Sequence, residues 1–144
     1  MALLKNFTQQ ESPVAKASQQ TFVDIDLKFT NHPSSKDVSV KLGAGAVAQS
    51  IRNICLTNQG DIDEQPDYGV GIRDYLGEQF GPIESLNLKS LIIEQCSRYE
   101  PRAEIFNVTV SFIEAEYTLR IRIDYFVVNV LKEESVVIEV SRVL

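Results

Sequence analysis

The stretch IFNVTVSFIEAEYTLRIRIDYFVV, residues 105–128, indicates the fold class. Side chains of a β-strand point to alternate faces, and both halves of this stretch alternate apolar and polar residues around Glu114–Glu116. We therefore predict two antiparallel strands joined by a tight turn. The side chains expected to face the core are Phe106, Val108, Val110 and Phe112 in the first strand and Tyr117, Leu119, Ile121, Ile123, Tyr125 and Val127 in the second.

Further strands are predicted on both sides of this hairpin. Residues 135–143 alternate again and complete a three-stranded meander. Near the start of the chain, residues 21–29 and 37–42 alternate around a turn that contains Pro33, so we expect a first hairpin. The apolar residues of its first strand, which should share a half-buried face, are Val23, Ile25, Leu27 and Phe29.

Two helices are predicted between the hairpins. Apolar residues recur at helical spacing over residues 44–58 and again over residues 83–99. Pro101 ends the second helix, because proline lacks a donor N–H and moves the preceding residue out of helical geometry. Residues 60–71 are acidic and rich in turn formers, which favours an ordered loop, and residues 72–80 favour a short helix.

These elements predict an α+β fold with a single domain at residues 21–144. Its sheet would be mixed or antiparallel, with the helices packed on one face. Residues 1–20 are polar and rich in Gln, so they are predicted to form a flexible or partner-ordered arm. A chain of 144 residues with 44% hydrophobic residues suits one globular domain.

Composition also disfavours two classes of partner. The net charge of −6 disfavours nucleic-acid binding, which depends on neutralising phosphates. A membrane partner is not expected either, because no segment approaches the ~20 apolar residues of a transmembrane helix. Cys55 and Cys96 both lie in apolar helical contexts, so buried thiols are favoured over a disulfide or a metal pair, in agreement with a cytosolic origin.

Two stretches invite a ligand-binding interpretation. Gly43, Gly45 and Ala48 fit the GxGxxA dinucleotide fingerprint, but that unit needs a parallel strand on each side of its helix, so a helix start with small residues is favoured. The second stretch is the loop at residues 60–71, where Asp61, Asp63, Glu64 and Asp67 could be calcium ligands. Because Ile72 occupies the place of the EF-hand glutamate, a solvated acidic loop is favoured over an irregular calcium site. We predict no cofactor and no metal.

Catalytic residues are sparse. His32 is the only histidine and lies in a predicted turn, so catalysis by a nucleophile and histidine has one candidate base. Glu100 paired with Glu104 or Asp124 could supply the two carboxylates of a glycoside hydrolase, although the sequence does not set their separation. We therefore predict that the chain is not an enzyme.

The segment Tyr99-Glu100-Pro101-Arg102 places a carboxylate and a guanidinium around a helix-breaking proline. An arginine side chain offers a planar fork that matches a carboxylate. Two interpretations stay open at this point. Arg102 could cap the carbonyl end of the helix, or the segment could form a rigid docking corner for another protein.

Four segments carry a resemblance to a known family: Gln49–Asn53, Leu56–Gly60, Pro66–Gly69, and Tyr99–Arg102 before a three-strand ending. Together they resemble the baseplate wedge subunit family of contractile-tailed bacteriophages, which is shared with type VI secretion baseplates and often labelled lysozyme-like. The resemblance covers residues 24–140, and the Glu-Pro-Arg motif is its specific part.

The resemblance implies a structural subunit of the virion tail baseplate, assembled in the host cytoplasm, with six copies per baseplate. The fold would resemble the strand-exchange domain of the tail sheath protein. Glu100, Pro101 and Arg102 would dock on the core bundle of the wedge, and the sheet would nucleate the tail sheath by strand addition.

One segment departs from the family, and one alternative function stays open. Members usually carry an Arg-Pro-Phe run after the loop glycine, where this chain has Ile62, Asp63 and Glu64, so no contact by that arginine is implied. The lysozyme-like label makes a cell-wall-degrading glycoside hydrolase the alternative. The sequence does not distinguish a phage from a tailocin or a secretion system.

Overall fold

The structure is a computed structural model that describes residues 22–31, 33–34, 37–77, 80–128 and 132–142. The arm predicted at residues 1–20 lies outside these residues. In chain order the helices and strands are β1 (Val23–Ile25), β2 (Val40–Leu42), α1 (Ala44–Leu56), α2 (Pro82–Tyr99), β3 (Ala103–Ile113), β4 (Thr118–Val127) and β5 (Lys132–Ser141). Short 3-10 turns occupy Asp74–Gly77 and Glu114–Glu116. Both helices begin and end within two residues of their predicted limits.

The last three strands form the predicted antiparallel meander, in the order β3-β4-β5. A β-bulge interrupts β3 between Ile105 and Asn107. Because a bulge inserts one extra residue, it shifts the alternation of side chains by one position. Phe106 is therefore exposed and stacks on Phe126, with 4.7 Å between ring centroids, so its predicted place in the core was wrong. Val108 is buried as predicted.

The turn between β3 and β4 changes a second prediction. Tyr117 was expected to face the core but is exposed. It closes the 3-10 turn in the left-handed conformation, with a φ of 45°. A residue in that conformation does not continue the pleat of a strand, so the alternation of β4 begins only at Thr118.

Both helices cover one face of the meander, because α1 lies against β5 and α2 against β3. Every second residue of β4 from Leu119 to Val127 is buried beneath them. Each buried aliphatic side chain contributes ~1.5–3 kcal/mol before entropy costs. The opposite face carries Arg120 and Arg122, and Arg120 pairs with Glu139 across the strands at 2.7 Å. The α+β prediction is confirmed, with two antiparallel sheets instead of one.

The first hairpin is inverted relative to its prediction. β1 and β2 pair antiparallel over only three residues each, and the apolar side chains face outward. Val23, Ile25, Leu27 and Phe29 are exposed by 56%, 59%, 50% and 67%. The opposite side is held by ion pairs, and buried Asp26 accepts from Thr30 at 3.1 Å and lies 3.5 Å from Lys41. Alternation fixes which residues share a face, but it does not determine which face turns inward.

The two thiols are buried and unbridged, as predicted. A hydrogen bond with Cys96, together with burial, raises the pKa of the Cys55 thiol well above its usual range. Within the described residues, no helix is long and apolar enough to cross a bilayer.

The loop after α1 folds back onto the end of that helix. The amides of Val70 and Ile72 donate to the carbonyls of Ile54 and Cys55 at 3.0 and 3.2 Å. Gly69 lies between these segments at a φ of 107°, and its amide donates to the buried Gln95 side chain at 3.0 Å. A Cβ at this position would overlap the carbonyl oxygen of Thr57. Only glycine fits both the backbone conformation and the space.

We expect Gly69→Ala to lower the free energy of unfolding by about 2 kcal/mol or more, because it adds both backbone strain and steric overlap. Urea denaturation of the full chain measures the change. Gly45→Ala is the matched control, because Gly45 lies inside α1 with nothing within 4 Å of an added Cβ. That control should be neutral or slightly stabilising. Equal losses for both variants would contradict this account of the loop.

Candidate functional site

The Glu-Pro-Arg segment, Glu100, Pro101 and Arg102, forms the corner between α2 and β3. The Glu100 amide still donates to the Cys96 carbonyl at 2.8 Å, whereas its φ and ψ of −128° and 71° are no longer helical. Pro101 cannot continue the helix, and β3 starts at Ala103. The turn leaves the Glu100 side chain buried, with 1% of its surface exposed.

Arg102 holds the buried carboxylate with two parallel hydrogen bonds. Its Nε donates to Glu100 Oε1 at 2.6 Å, and its Nη2 donates to Oε2 at 2.7 Å. The same Nη2 lies 3.2 Å from Asp24 Oδ2 in β1, and the guanidinium lies 5.3 Å from the centroid of the Phe22 ring. Arg102 therefore connects the end of α2 to the first hairpin.

The pKa of Glu100 follows from these contacts. Burial acts to raise the pKa of its carboxyl, whereas hydrogen bonds from Arg102 and Ser50 and the charge of Arg102 act to lower it. The lowering effects prevail, so the pKa of Glu100 lies below the ordinary glutamate value. The hydrogen bond to Glu100 raises the pKa of Arg102. The pair is ionised at neutral pH.

Arg102→Ala should lower the free energy of unfolding by about 3 kcal/mol at neutral pH, because it leaves a buried carboxylate without its cationic partner. The lowered pKa of Glu100 means that the stabilising effect of the pair is complete above the ordinary value of about 4.3 and is lost as pH falls below it. The difference in unfolding free energy between parent and variant should therefore stay constant down to about pH 5 and narrow below about pH 4.3. Urea denaturation across this range measures it.

Arg122→Ala is the control for this prediction. Arg122 donates to Asp124 at 2.8 Å, but its side chain is mostly exposed on the sheet face opposite the helices, and exposed ion pairs contribute little to stability. We expect a smaller loss than for Arg102→Ala. A loss for Arg102→Ala that stays constant from pH 6 to pH 3 would show that the pair with Glu100 is not its cause.

The structure brings together all three residues predicted as a docking site, with different exposure. Pro101 is exposed, Arg102 is about one quarter exposed at its side chain, and Glu100 is buried. Sequence analysis missed Asp24 and Ser50, which support the corner from β1 and α1. The sequence does place Asp24 on the polar side of the strand predicted at residues 21–29. Alternation, however, does not predict which part of the domain that side contacts.

The other candidate sites do not assemble. Gly43 precedes α1, but β2 is three residues long and antiparallel to β1, so the parallel strands of a dinucleotide-binding unit are missing from the described residues. The acidic loop residues are all exposed: Asp61, Asp63, Glu64 and Asp67. Within the part of the chain that the structure describes, no three His, Cys, Asp or Glu side chains are placed to hold a metal ion.

The two edge strands of the meander, β3 and β5, differ in regularity. The bulge at Phe106 breaks the ladder along β3. β5 pairs with β4 without interruption from Lys132 to Ser141. The Arg142 amide donates to the Tyr117 carbonyl at 3.2 Å, whereas the Val137 carbonyl accepts from Arg52 Nη2 at 3.3 Å on the other side of the strand. Because hydrogen bonding alternates along antiparallel strands, the odd-numbered residues from Glu133 to Ser141 direct their backbone groups toward the outer edge.

Comparison with known proteins identifies the family. A family model described as "Baseplate wedge protein gp25" matches residues 42–130, which is more than half of the chain. The chain belongs to this family. A relative from Enterobacteria phage T4, also described as baseplate wedge protein gp25, is 30% identical over 95 residues, which cover 66% of this chain and 72% of the relative. The family inferred from the four sequence segments is confirmed.

Solved structures are similar as well. A cryo-EM structure of the baseplate of the anti-feeding prophage, a six-fold symmetrised assembly, contains a chain that matches 76% of this one with 27% identity and a TM-score of 0.65, covering 88% of that chain. A crystal structure of a candidate tail lysozyme from Geobacter sulfurreducens covers 67% of this chain and 87% of its own, with 30% identity and a TM-score of 0.57. These similarities assign the chain to the baseplate of a phage or of a phage-like particle.

Proposed function

We propose that this chain is a non-enzymatic baseplate subunit of a contractile tail, which docks on the wedge core and nucleates the sheath. The observation that carries the proposal is the unbroken outer edge of β5. An open edge offers a row of backbone donors and acceptors to a strand from another protein. Six copies arranged around the tail would repeat this edge, as the six-fold baseplate of the related prophage suggests.

Docking through the corner is supported by the surface around it. Arg102 joins the corner to β1, whose outward side is apolar. Exposed apolar patches of this kind mark interaction sites. The exposed apolar side chains of the first hairpin are Val23, Ile25, Leu27, Phe29, Val38, Val40 and Leu42. Pro101 and Arg102 would contact the wedge core, while buried Glu100 holds Arg102 in place.

Pro101→Lys tests this docking without touching the buried pair. Pro101 is exposed, so a lysine should leave the melting temperature nearly unchanged while placing a flexible charge at the contact. We expect incorporation into baseplates to fall about tenfold or more, measured by quantitative blotting of purified particles. Pro66→Lys, at an exposed proline of the acidic loop, should incorporate normally. Normal incorporation of Pro101→Lys would show that the subunit does not dock through this corner.

Strand addition at β5 is supported by the backbone groups on its outer edge, which no other described strand pairs with. The Val137 carbonyl is contacted only by a side chain within the described residues, through a long bond from Arg52. A partner strand could replace that bond with a backbone one. The edge of β3 is less suitable, because its bulge disrupts the ladder next to Phe106.

Val137→Pro tests the edge. Proline is tolerated where a backbone N–H points away from the sheet, and it removes that donor from a partner strand. We expect a folded subunit that enters baseplates and yields tails without sheath in electron micrographs. Val137→Ala keeps the N–H and should give sheathed tails. Sheathed tails from Val137→Pro would exclude strand addition at β5, and sheathed tails that fail to penetrate the cell envelope would favour the hydrolase alternative.

The hydrolase alternative is disfavoured by the electrostatics of its candidate carboxylates. A glycosidase needs one carboxylic acid with a raised pKa. The pKa of Glu100 is lowered despite burial, chiefly by Arg102, and its carboxylate is enclosed by that ion pair. Hydrogen bonds from Arg122 and Asn107 lower the pKa of Asp124. Both groups are suited to structural ion pairs.

A further inference from the structure

A groove runs beside the outer edge of β5, and we call it the β5 groove. It has a volume of about 810 Å³ and lies between β5, the end of α1 and the 3-10 turn that follows the loop. Its apolar walls include Leu56, Leu76 and Val140. In the described part of the chain no strand pairs with this edge of β5, and a groove beside an unpaired edge has the shape that an extended peptide requires.

The β5 groove is lined by three arginines although the chain carries a net charge of −6. They are Arg52 from α1, Arg73 from the 3-10 turn and Arg142 after β5. In the described part of the chain, none of the three lies within 4.0 Å of a carboxylate. The carboxylate of Glu139, which also lines the groove, is bound to Arg120 at 2.7 Å. Among the described residues, the positive charge of the β5 groove is therefore not neutralised by an ion pair.

Among the three arginines, Arg52 contacts the outer edge of β5 directly. Its guanidinium donates to the Val137 carbonyl at 3.3 Å, a long bond compared with the usual 2.9–3.0 Å of an N–H···O contact. A partner strand paired with β5 would supply a backbone N–H to this carbonyl. Arg52 would then be free to bind a side chain of that same strand, and the charge-assisted partner of a guanidinium is a carboxylate.

We propose that the β5 groove accepts an extended segment of a partner subunit that carries acidic residues on its α1-facing side. The inference rests on the proposed strand addition and defines the chemistry of the added strand. Side chains of an extended strand alternate, so the acidic residues would occur at every second position. The apolar walls would cover the aliphatic parts of these side chains.

Peptide binding to the full chain tests the proposal. The probe is a fluorescein-labelled ten-residue peptide that alternates Glu with Thr and Val, and the matched probe has Lys in place of every Glu. Anisotropy titrations should give binding for the acidic peptide alone, weakened severalfold between about 0.05 and 0.5 M NaCl, because salt screens exposed charges. Equal binding of both peptides, or of neither, would overturn the proposal.

Replacing the three arginines of the β5 groove tests whether the acidic peptide binds there. The triple variant Arg52→Gln, Arg73→Gln, Arg142→Gln should weaken binding of the acidic peptide about tenfold, because three partly exposed ion pairs are lost. The matched triple variant Lys28→Gln, Arg98→Gln, Arg122→Gln removes three exposed charges from other surfaces and should bind as the parent does. Equal weakening by both triple variants would indicate a general charge effect and overturn the proposal.

Electron microscopy of particles separates this inference from the function on which it rests. Loss of sheath for both Val137→Pro and the groove triple variant supports both. Loss for Val137→Pro alone keeps strand addition and rejects an acidic partner strand. If the acidic peptide binds only when the three arginines are present, but Val137→Pro still gives normally sheathed tails, then strand addition at β5 is rejected instead. Dimers that require the three arginines, detected by sedimentation velocity, would show that a second copy occupies the groove and would overturn the proposal.

Discussion

The fork of Arg102 around Glu100, with its reach to Asp24, holds three parts of this chain together. The two short bonds to the carboxylate fix the turn that leads from α2 into β3. The third contact attaches the first hairpin to the same corner. A hairpin with strands of three residues is too short to be stable by itself, so its position depends on such contacts. Gln49 of α1 supplies another by donating to the Ile25 carbonyl at 2.8 Å.

This attachment explains why the apolar side of the hairpin faces outward. Asp24 of β1 pairs with Arg102 on the body of the domain, whereas Asp26 pairs with Lys41 of β2 on the same side of the hairpin. Within the described residues, the apolar side chains of the hairpin stay exposed. A large apolar surface and an open strand edge are both features that other subunits can complete. They suit a protein that acts as part of an assembly, in agreement with its baseplate family.

Charge is distributed unevenly over this acidic chain. The carboxylates at the corner and on the sheet face opposite the helices are bound to arginines, whereas the β5 groove keeps three arginines that meet no carboxylate within the described residues. Net charge therefore says little about the partner of any one surface. The acidic average disfavoured nucleic acid in the sequence analysis, but it gave no indication that three arginines line one groove.

The sequence by itself determined the elements, the meander and the family. Periodicity placed α1 and α2 within two residues and identified the buried residues of β4, because local geometry alone fixes which side chains share a face. Only the tertiary structure decided which face of the first hairpin turns inward, where the bulge moves Phe106 out of the core, and how Tyr117 ends the alternation. Tertiary contacts also placed Asp24 beside Arg102 and gathered Arg52, Arg73 and Arg142 along one edge. Those outcomes depend on contacts between residues far apart in the chain, which no local pattern encodes.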